Sequence, residues 1–571
     1  MATQVYDAIV VGSGISGGWA AKELTEKGLN VLLLEAGRDI DPAKDYSEHM
    51  APYDVKFRGL GDKKFMEENY PVQKQCYACR EYNHYLFVND KENPYTTPAD
   101  KPYLYFRGRH VGGRSITWGR QVYRWSEMDF LANEREGIEI PWPVTYQDIE
   151  PWYDYVEEFI GISGAKEGLP QVPDGKFLPP MQMSAGERLM REKLMKRYNG
   201  ERVVTIGRCA ILTQDHLGRA VCHYCGPCEQ GCVTRSYFST LNSTLPAAQA
   251  TGRLTLRPHS VVRQLIFDPK TSRVSGVSVV DGLTMKELEF KARIFFLCAS
   301  TLESTRILLN STSRRFPNGL ANSSGVLGHY LMDHLYGSGA VGDYEGLENL
   351  RDVGRRPNGI YLPRFQNIKR KHSNYLRGYG FQGGSSRAGY LGGFHLASLG
   401  GSFPPGFGIE LKEAMKQLGP WNMRLAGFGE CLPYFENRVE INKEVKDKWG
   451  IPVLHITATW YGNELAMYRE IRQEAAEMLE ACGCKNVSTY GDAWPAPPGK
   501  GIHEMGTARM GNDPKRSVLN RWNQTHDVKN LFITDGSFMV SSACQNPSIT
   551  YMAFTARAAD YAVKQMKRGD L

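Results

Sequence analysis

The stretch Val5–Asp39, VYDAIVVGSGISGGWAAKELTEKGLNVLLLEAGRD, constrains what this chain can fold into more than any other. Asp7–Val11 is a short apolar run of the kind a buried parallel strand needs, and Gly12, Gly14 and Gly17 follow it as G-x-G-x-x-G. A helical stretch with Trp19, Ala20 and Leu24 runs to about Gly28, and a second apolar run, Val31–Leu34, ends in Glu35. Each glycine has a mechanical reason. Gly12 permits the tight turn, Gly14 lets the backbone approach a pyrophosphate, and Gly17 lets helix and strand pack closely. The pyrophosphate of a dinucleotide then sits at the positive end of the helix, where free N–H groups point outward. Glu35 is placed to accept hydrogen bonds from ribose hydroxyls, and its charge disfavours a 2′-phosphate.

At 571 residues the chain has room for two or more domain-sized units and a large core. A 42% hydrophobic and 23% charged composition suits a globular enzyme. The net charge of +7 is spread along the chain, and its densest basic patch, Lys369–His372, reads as a solvated loop, so no nucleic-acid partner is expected. No apolar run approaches the roughly 20 residues that span a bilayer, so the chain itself is not expected to cross one. The first strand begins too early to leave room for a signal peptide. The expected location is the cytoplasm, or the periplasm by co-export with a partner subunit.

The dinucleotide unit does not continue as a simple Rossmann domain. Irregular chain follows Gly37, then a second glycine-rich stretch, FRGRHVGGRSITWGRQVYR (106–124). Tyr146–Ile160 reads as a capped helix, RLTLRPHSVVRQLIF and RVSGVSVVDG as strands, and ARIFFLCASTLESTRILL as a buried strand turning into a helix at Ala299–Ser300. Residues 337–495 are Gly-, Tyr- and Phe-rich, with strands around Arg438–Asn442 and Leu454–Trp460 and an amphipathic helix over Glu464–Cys482. A last helix covers Thr550–Met566. The expected fold class is α/β, α+β overall: a Rossmann-like domain (1–45, 100–125, 240–336, 496–571) interleaved with a substrate domain (46–99, 126–239, 337–495).

The N-terminal fingerprint, GRHVGGRSITW, HEMGTARMG and NLFITDGSFMVSSACQNPSITYMAFTARAADY resemble, in order and over essentially the whole chain, the glucose–methanol–choline family of FAD-dependent oxidoreductases. Within it, TLESTRILL and the cysteine run VCHYCGPCEQGCV resemble the bacterial sugar and sugar-acid dehydrogenases, among them glucoside 3-dehydrogenases and gluconate 2-dehydrogenase large subunits. The resemblance implies an FAD domain of mixed α/β type and a substrate domain on an antiparallel sheet. It implies that Gly12, Gly14, Gly17 and Glu35 hold the ADP half of FAD, that Gly112, Gly113, Ser115 and Trp118 line its isoalloxazine and ribityl side, and that Val262 meets adenine through its backbone. Asp535 and Gly536 reach the pyrophosphate and ribityl chain, and Ser16, Ala36, Arg109, Ala299, Asn546 and Pro547 complete the implied set. Pyranose oxidases bond the flavin to a His within Ser-Thr-His-Trp. This chain reads Ser115-Ile116-Thr117-Trp118 there, so noncovalent FAD is expected.

Oxidising a secondary alcohol needs a base for the hydroxyl proton, a hydride acceptor and a second polar group that orients the hydroxyl. His503 is the candidate base, since neutral imidazole titrates near working pH. Asn546 offers a donor and an acceptor without charge. The resemblance places the family's base at the head of H-x-x-G-T-x-R-M-G and its His or Asn partner before a Pro, which are these two positions. A core histidine and a turn-forming Asn are the plainer readings. His334 is similar to a position in the sugar dehydrogenases, with a structural role for Asp333-His334 an equal alternative. His110 reads as a surface-turn residue, with flavin contact as the rival. Trp142, Trp152 and Tyr153 read as packing rather than sugar-stacking platforms.

Cys222, Cys225, Cys228 and Cys232 have the C-x2-C-x2-C-x3-C spacing of a ferredoxin half-site, with Gly226, Pro227 and Gly231 supplying turns. Zinc and a structural disulfide are the competing readings. The resemblance implies a 3Fe–4S cluster on Cys222, Cys228 and Cys232 (spaced C-x5-C-x3-C) with Cys225 a possible further ligand, and electron exit through it to a small subunit and a cytochrome c acceptor. Cys76 and Cys79 read as a redox pair, a disulfide or two unlinked thiols. The expected activity is oxidation of a sugar or glycoside, at C3 of a pyranoside, with a gluconate-type sugar-acid dehydrogenase and an oxygen-using oxidase as alternatives.

Overall fold

The computed structural model describes residues 5–51, 53–55, 61–351, 356–387, 407–416 and 420–571. The opening unit forms as its pattern dictates: strand β1 (Val5–Val11), helix α1 (Ile15–Glu26) and strand β2 (Val31–Leu34), with β1 and β2 parallel and Ala8 opposite Val31. The run in β1 is continuously apolar because both faces are covered. Ile9 and Val11 enter one core cluster, with Phe295, Ile533 and Phe554, while Ala8 and Val10 enter another with Leu33, Phe296 and Phe532.

These strands belong to a seven-stranded sheet ordered 254–257, 31–34, 5–11, 287–297, 273–281, 260–268, with Leu531–Ile533 also pairing to 287–297. The strand Glu287–Leu297 records both environments in its sequence. Its first half alternates where it pairs antiparallel in a meander, and Ile294–Leu297 is buried throughout where it lies parallel to β1. Helix Tyr146–Ile160 carries the expected cap, a reciprocal Thr145–Asp148 box, and packs with the C-terminal helix Ser548–Arg568 on this sheet. Trp142 and Tyr153 are buried in the same core and Trp152 packs against it, so these aromatics serve packing.

The second sheet is antiparallel and six-stranded, ordered 485–490, 335–344, 421–429, 379–387, 360–362, 205–206. Helix Gly462–Ala481 lays Met467, Ile471, Ala475 and Met478 against Leu335, Ala340, Met423 and Leu425, and Met190 and Leu194 join the same core. Five of these strands fall wholly or mostly in the stretch 337–495, whose glycine content hides them, since glycine is depleted in strands. Here the glycines mark close backbone approach. A Cβ on Gly339 would lie 1.9 Å from the Leu425 carbonyl oxygen, and one on Gly359 would lie 1.7 Å from that of Gly383. Lys369, Arg370 and Lys371 are exposed in an irregular loop. Among the described residues no helix is long and apolar enough to cross a membrane. Residues 388–406, part of the expected substrate segment, and Arg355 lie outside the described residues.

Candidate active site

A cavity of about 530 Å³ opens where β1 turns into α1. The three fingerprint glycines do different work there. Gly12 adopts φ +92°, and a Cβ on it would come within 2.5 Å of the Cys298 carbonyl oxygen. A Cβ on Gly17 would lie 1.7 Å from the Gly12 carbonyl oxygen, so this residue holds α1 against β1 and does not line the cavity. A Cβ on Gly14 would meet no protein atom within 4 Å, and Gly14 faces the cavity. No side chain caps α1, which leaves its first-turn N–H groups free for an anion.

Glu35 and Ala36 line the cavity beside Val262. Ser13 donates to Glu35 Oε2 from its N–H (3.1 Å) and its hydroxyl (2.6 Å), and the Gly37 N–H donates to Oε1 (2.8 Å). Oε2 is filled by the two Ser13 donors, and the second lone pair of Oε1 remains to accept from a ribose. Ser16, Ala299, Asp535 and Gly536 are in the same wall. The Asp535 carboxylate takes the Ser537 N–H and hydroxyl (3.1 and 2.6 Å) and the Ser304 hydroxyl, which fixes the turn at Gly536.

The second glycine-rich stretch closes over this turn, with the Gly112 N–H donating to Ser13 Oγ (3.0 Å). Gly113, Ser115, Thr117, Trp118, Arg109 and Pro547 line the cavity. Gly112 does not. With φ +94° and Leu241 against it, this residue turns the chain from behind. The Arg109 guanidinium stacks on Trp449 at 3.8 Å. The surface-turn reading of His110 is corrected: it is fully buried, its Nδ1 is 2.9 Å from the Val111 carbonyl oxygen, and burial pushes it down to about 4. It is absent from the cavity wall, so it is placed as a core residue.

His503 and Asn546 come together in the wall, with His503 Nε2 and Asn546 Nδ2 3.2 Å apart. Gln382 Nε2 donates to Asn546 Oδ1 (2.6 Å), which turns the amide nitrogen toward the histidine. On its other side the His503 ring meets His334, Nδ1 to Nδ1 at 2.8 Å, and His334 Nε2 bonds the Ala543 carbonyl oxygen. The loop carrying His503 is pinned by Asp333, whose carboxylate accepts from the N–H groups of Gly499 (2.8 Å), Gly501 (3.0 Å) and His503 (2.9 Å). Burial, with Glu504 adding to it, pushes Asp333 up to about 7 against those donors. Burial first, then His334 and Arg114, holds His503 well below its ordinary value, so its imidazole is neutral. His334 is pushed down to about 4 by burial.

Several residues here went unmarked in the sequence reading. Arg114 pairs with the buried Glu504 (2.8 Å), and both line the cavity, although each stands inside a motif already quoted. Gln382, Phe428 and Tyr336 come from the glycine-rich sheet and carried no motif; the Phe428 and Tyr336 rings lie 4.7 Å apart in the wall, tilted by 34°.

The cysteine run forms an irregular loop beside the cavity wall. Gly226 and Gly231 turn the loop at φ +103° and +112° as expected. Cys222, Cys228 and Cys232 are half-buried against Met181, Ile206 and Tyr237, and Cys225 is exposed. Among the described residues no three His, Cys, Asp or Glu side chains are placed to hold a metal ion, so this arrangement does not support the expected cluster. The loop does reach the cavity, through Glu229 in the wall and through Arg120, which donates to the Cys228 carbonyl oxygen (3.4 Å). Cys76 and Cys79 are buried free thiols, without a disulfide between them.

Two family profiles, both described as GMC oxidoreductase, match residues 6–336 and 433–555. The chain is 28% identical to 2-methyl-1,2-propanediol dehydrogenase of Mycolicibacterium austroafricanum, over 97% of this chain and 94% of that one. It is 25% identical to the fructose dehydrogenase large subunit of Gluconobacter japonicus (99% and 98%) and 24% identical to the gluconate 2-dehydrogenase flavoprotein of Pantoea cypripedii (96% and 92%). Its fold is similar to that of pyridoxine 4-oxidase from Mesorbium loti, with a TM-score of 0.59 and 18% identity over 97% of this chain and 98% of that one.

Proposed function

The chain belongs to the GMC oxidoreductase family, and from that premise we propose that it is an FAD-dependent dehydrogenase oxidising a secondary hydroxyl of a sugar or glycoside to a ketone, at C3 of a pyranoside. The observation that carries this reading is the His503–Asn546 pair in the cavity wall, with Asn546 held by Gln382. Proteins of the family bind FAD, and the residues fit it. The open face of Gly14 and the uncapped α1 suit a pyrophosphate, Glu35 suits a ribose, and Thr117 offers no covalent link through a histidine there. When bound, FAD accepts the carbinol hydride. The substrate hydroxyl donates to His503 Nε2, which takes its proton, while the Asn546 amide N–H donates to the substrate oxygen and orients it. Phe428 and Tyr336 supply apolar faces beside the amides of Gln382 and Asn546, a mixture suited to a polyhydroxylated ring.

Relatives named for fructose and gluconate support a sugar-type donor, and the gluconate relative favours a sugar acid as the second reading. For electron exit, the support is the Cys222/Cys228/Cys232 spacing and the one apolar cluster against which these three residues pack. A 3Fe–4S cluster there would serve a small subunit and a cytochrome-type acceptor. Iron with acid-labile sulfide in anaerobic protein, lost in Cys222→Ser and kept in Cys225→Ser, is the expected result; zinc alone overturns it. For the oxidation itself, anaerobic stopped-flow reduction of the flavin is followed with methyl pyranosides, sugar acids and small diols. A pyranoside should reduce fastest and yield the C3 ketone, and His503→Ala should slow that step by on the order of 10²–10⁴ with FAD still bound. Reduction by sugar acids or diols alone would move the substrate assignment, and rapid peroxide formation in air would make the protein an oxidase.

A further inference from the structure

Five groups join in one hydrogen-bonded line through the candidate site: the Ala543 carbonyl, His334, His503, Asn546 and Gln382. The line has a direction, and the direction follows from its first member. A carbonyl oxygen only accepts, so the nitrogen bonded to it, His334 Nε2, carries a proton. His334 is fully buried, with Asp333 engaged elsewhere by the backbone of 499–503, and burial keeps the imidazole neutral. A neutral imidazole has one N–H, so His334 Nδ1 is bare and accepts from the His503 Nδ1–H 2.8 Å away. His503 then has no proton left for Nε2, the nitrogen in the cavity, and the Asn546 amide donates to it. At the far end Gln382 donates to Asn546 Oδ1, so the two amides can turn over only together.

We propose that His334 is a positioning residue that fixes the tautomer of His503, leaving Nε2 bare to receive the substrate proton. The proposal rests on the reading of His503 as the base. Without His334 the Gln382 and Asn546 amides can reverse together to accept from Nε2–H, so nothing in the line then requires the proton on Nδ1. The Nε2–H tautomer cannot accept a hydroxyl proton, so the reactive fraction falls while the ring stays in place.

Two substitutions divide the two bonds of His334. In His334→Asn the amide oxygen occupies the Nδ1 position and still accepts from His503. In His334→Gln the longer amide reaches toward Ala543 and leaves Nδ1 unmatched. With FAD content and thermal midpoint as controls, flavin reduction at saturating substrate should stay within about tenfold of wild type in His334→Asn and fall on the order of 10²-fold in His334→Gln and His334→Leu. Equal rates in the Asn and Gln variants, both holding FAD, would overturn the tautomer assignment even where the Leu variant fails to fold. His503→Ala in the same series separates the two levels. A slow His503→Ala beside a wild-type His334→Leu overturns this inference alone. A wild-type rate in His503→Ala overturns the base reading, and the inference with it.

Discussion

His503 occupies a place where a histidine gives up its charge: burial disfavours imidazolium, and His334 and Arg114 disfavour it further. Asp333 and Glu504 are the carboxyls beside it, but Asp333 is bound by three backbone N–H groups and Glu504 by Arg114. The sign follows directly. A base with a lowered value stays deprotonated as the pH falls through the ordinary histidine midpoint of about 6.5. The flavin-reduction rate at saturating substrate should therefore change less than about twofold between pH 8 and 6, where an unperturbed histidine would lose about three quarters of its base form. An acid limb with its midpoint near 6.5, absent from His503→Ala, would contradict this. His503 and Asn546 were legible because each stands at a fixed place in a motif with a chemical role. His334 stood out in the sequence as one of two readings, but the positioning role proposed for it could not be read there, since it depends on Ala543, 209 residues away in the chain, and on which nitrogen faces it.

At the scale of elements, the fingerprint was legible because one chemical demand, a backbone that admits a pyrophosphate, fixes strand, turn and helix together. Its glycines should now separate by experiment. Gly17→Ala drives a methyl into the Gly12 carbonyl, so it should cost about 3 kcal/mol or more and lower the thermal midpoint even without cofactor. Gly14→Ala meets no protein atom, so the apoprotein should melt as wild type while bound FAD is lost. Equal midpoints for the two apoproteins would show that the helix relaxes around Gly17. Helix Tyr146–Ile160 was readable from its capping box, and Glu287–Leu297 from its change of pattern. The antiparallel sheet was not readable strand by strand. In Tyr379–Arg387 the glycines at 380, 383 and 384 interrupt alternation; a Cβ at 383 would lie 2.3 Å from the Arg424 carbonyl oxygen and one at 380 would lie 2.9 Å from the Tyr361 hydroxyl, while one at 384 would have room. Gln382, which orients Asn546, is set among them.

Across the whole molecule, the cavity wall joins residues that the chain keeps far apart. Gly14 and Glu35 come from the first strands, Gly113–Trp118 from the second glycine-rich stretch, and Ala299, Asp535 and Asn546 from the middle and end; Tyr336, Gln382 and Phe428 come from the other sheet. A ligand filling that space touches both sheets at once, and so it stabilises their common folded state and not any one segment. Because Thr117 stands where a linking histidine would be, this coupling should be noncovalent and reversible. Acid precipitation should release the yellow colour to the supernatant; colour retained in the pellet would refute noncovalent binding. The apoprotein should melt below the holoprotein, and added FAD should restore the midpoint with the logarithm of its concentration above Kd. Mass action makes the gain about 2.7 kcal/mol at a hundred times Kd. A substitution confined to the second sheet, such as Gln382→Leu, should leave the apoprotein midpoint nearly unchanged and reduce the shift that FAD produces, provided the isoalloxazine end of the cofactor reaches that sheet. An FAD-induced shift as large in this variant as in wild type would mean that the cofactor binds against the first sheet alone, with the second sheet serving the substrate.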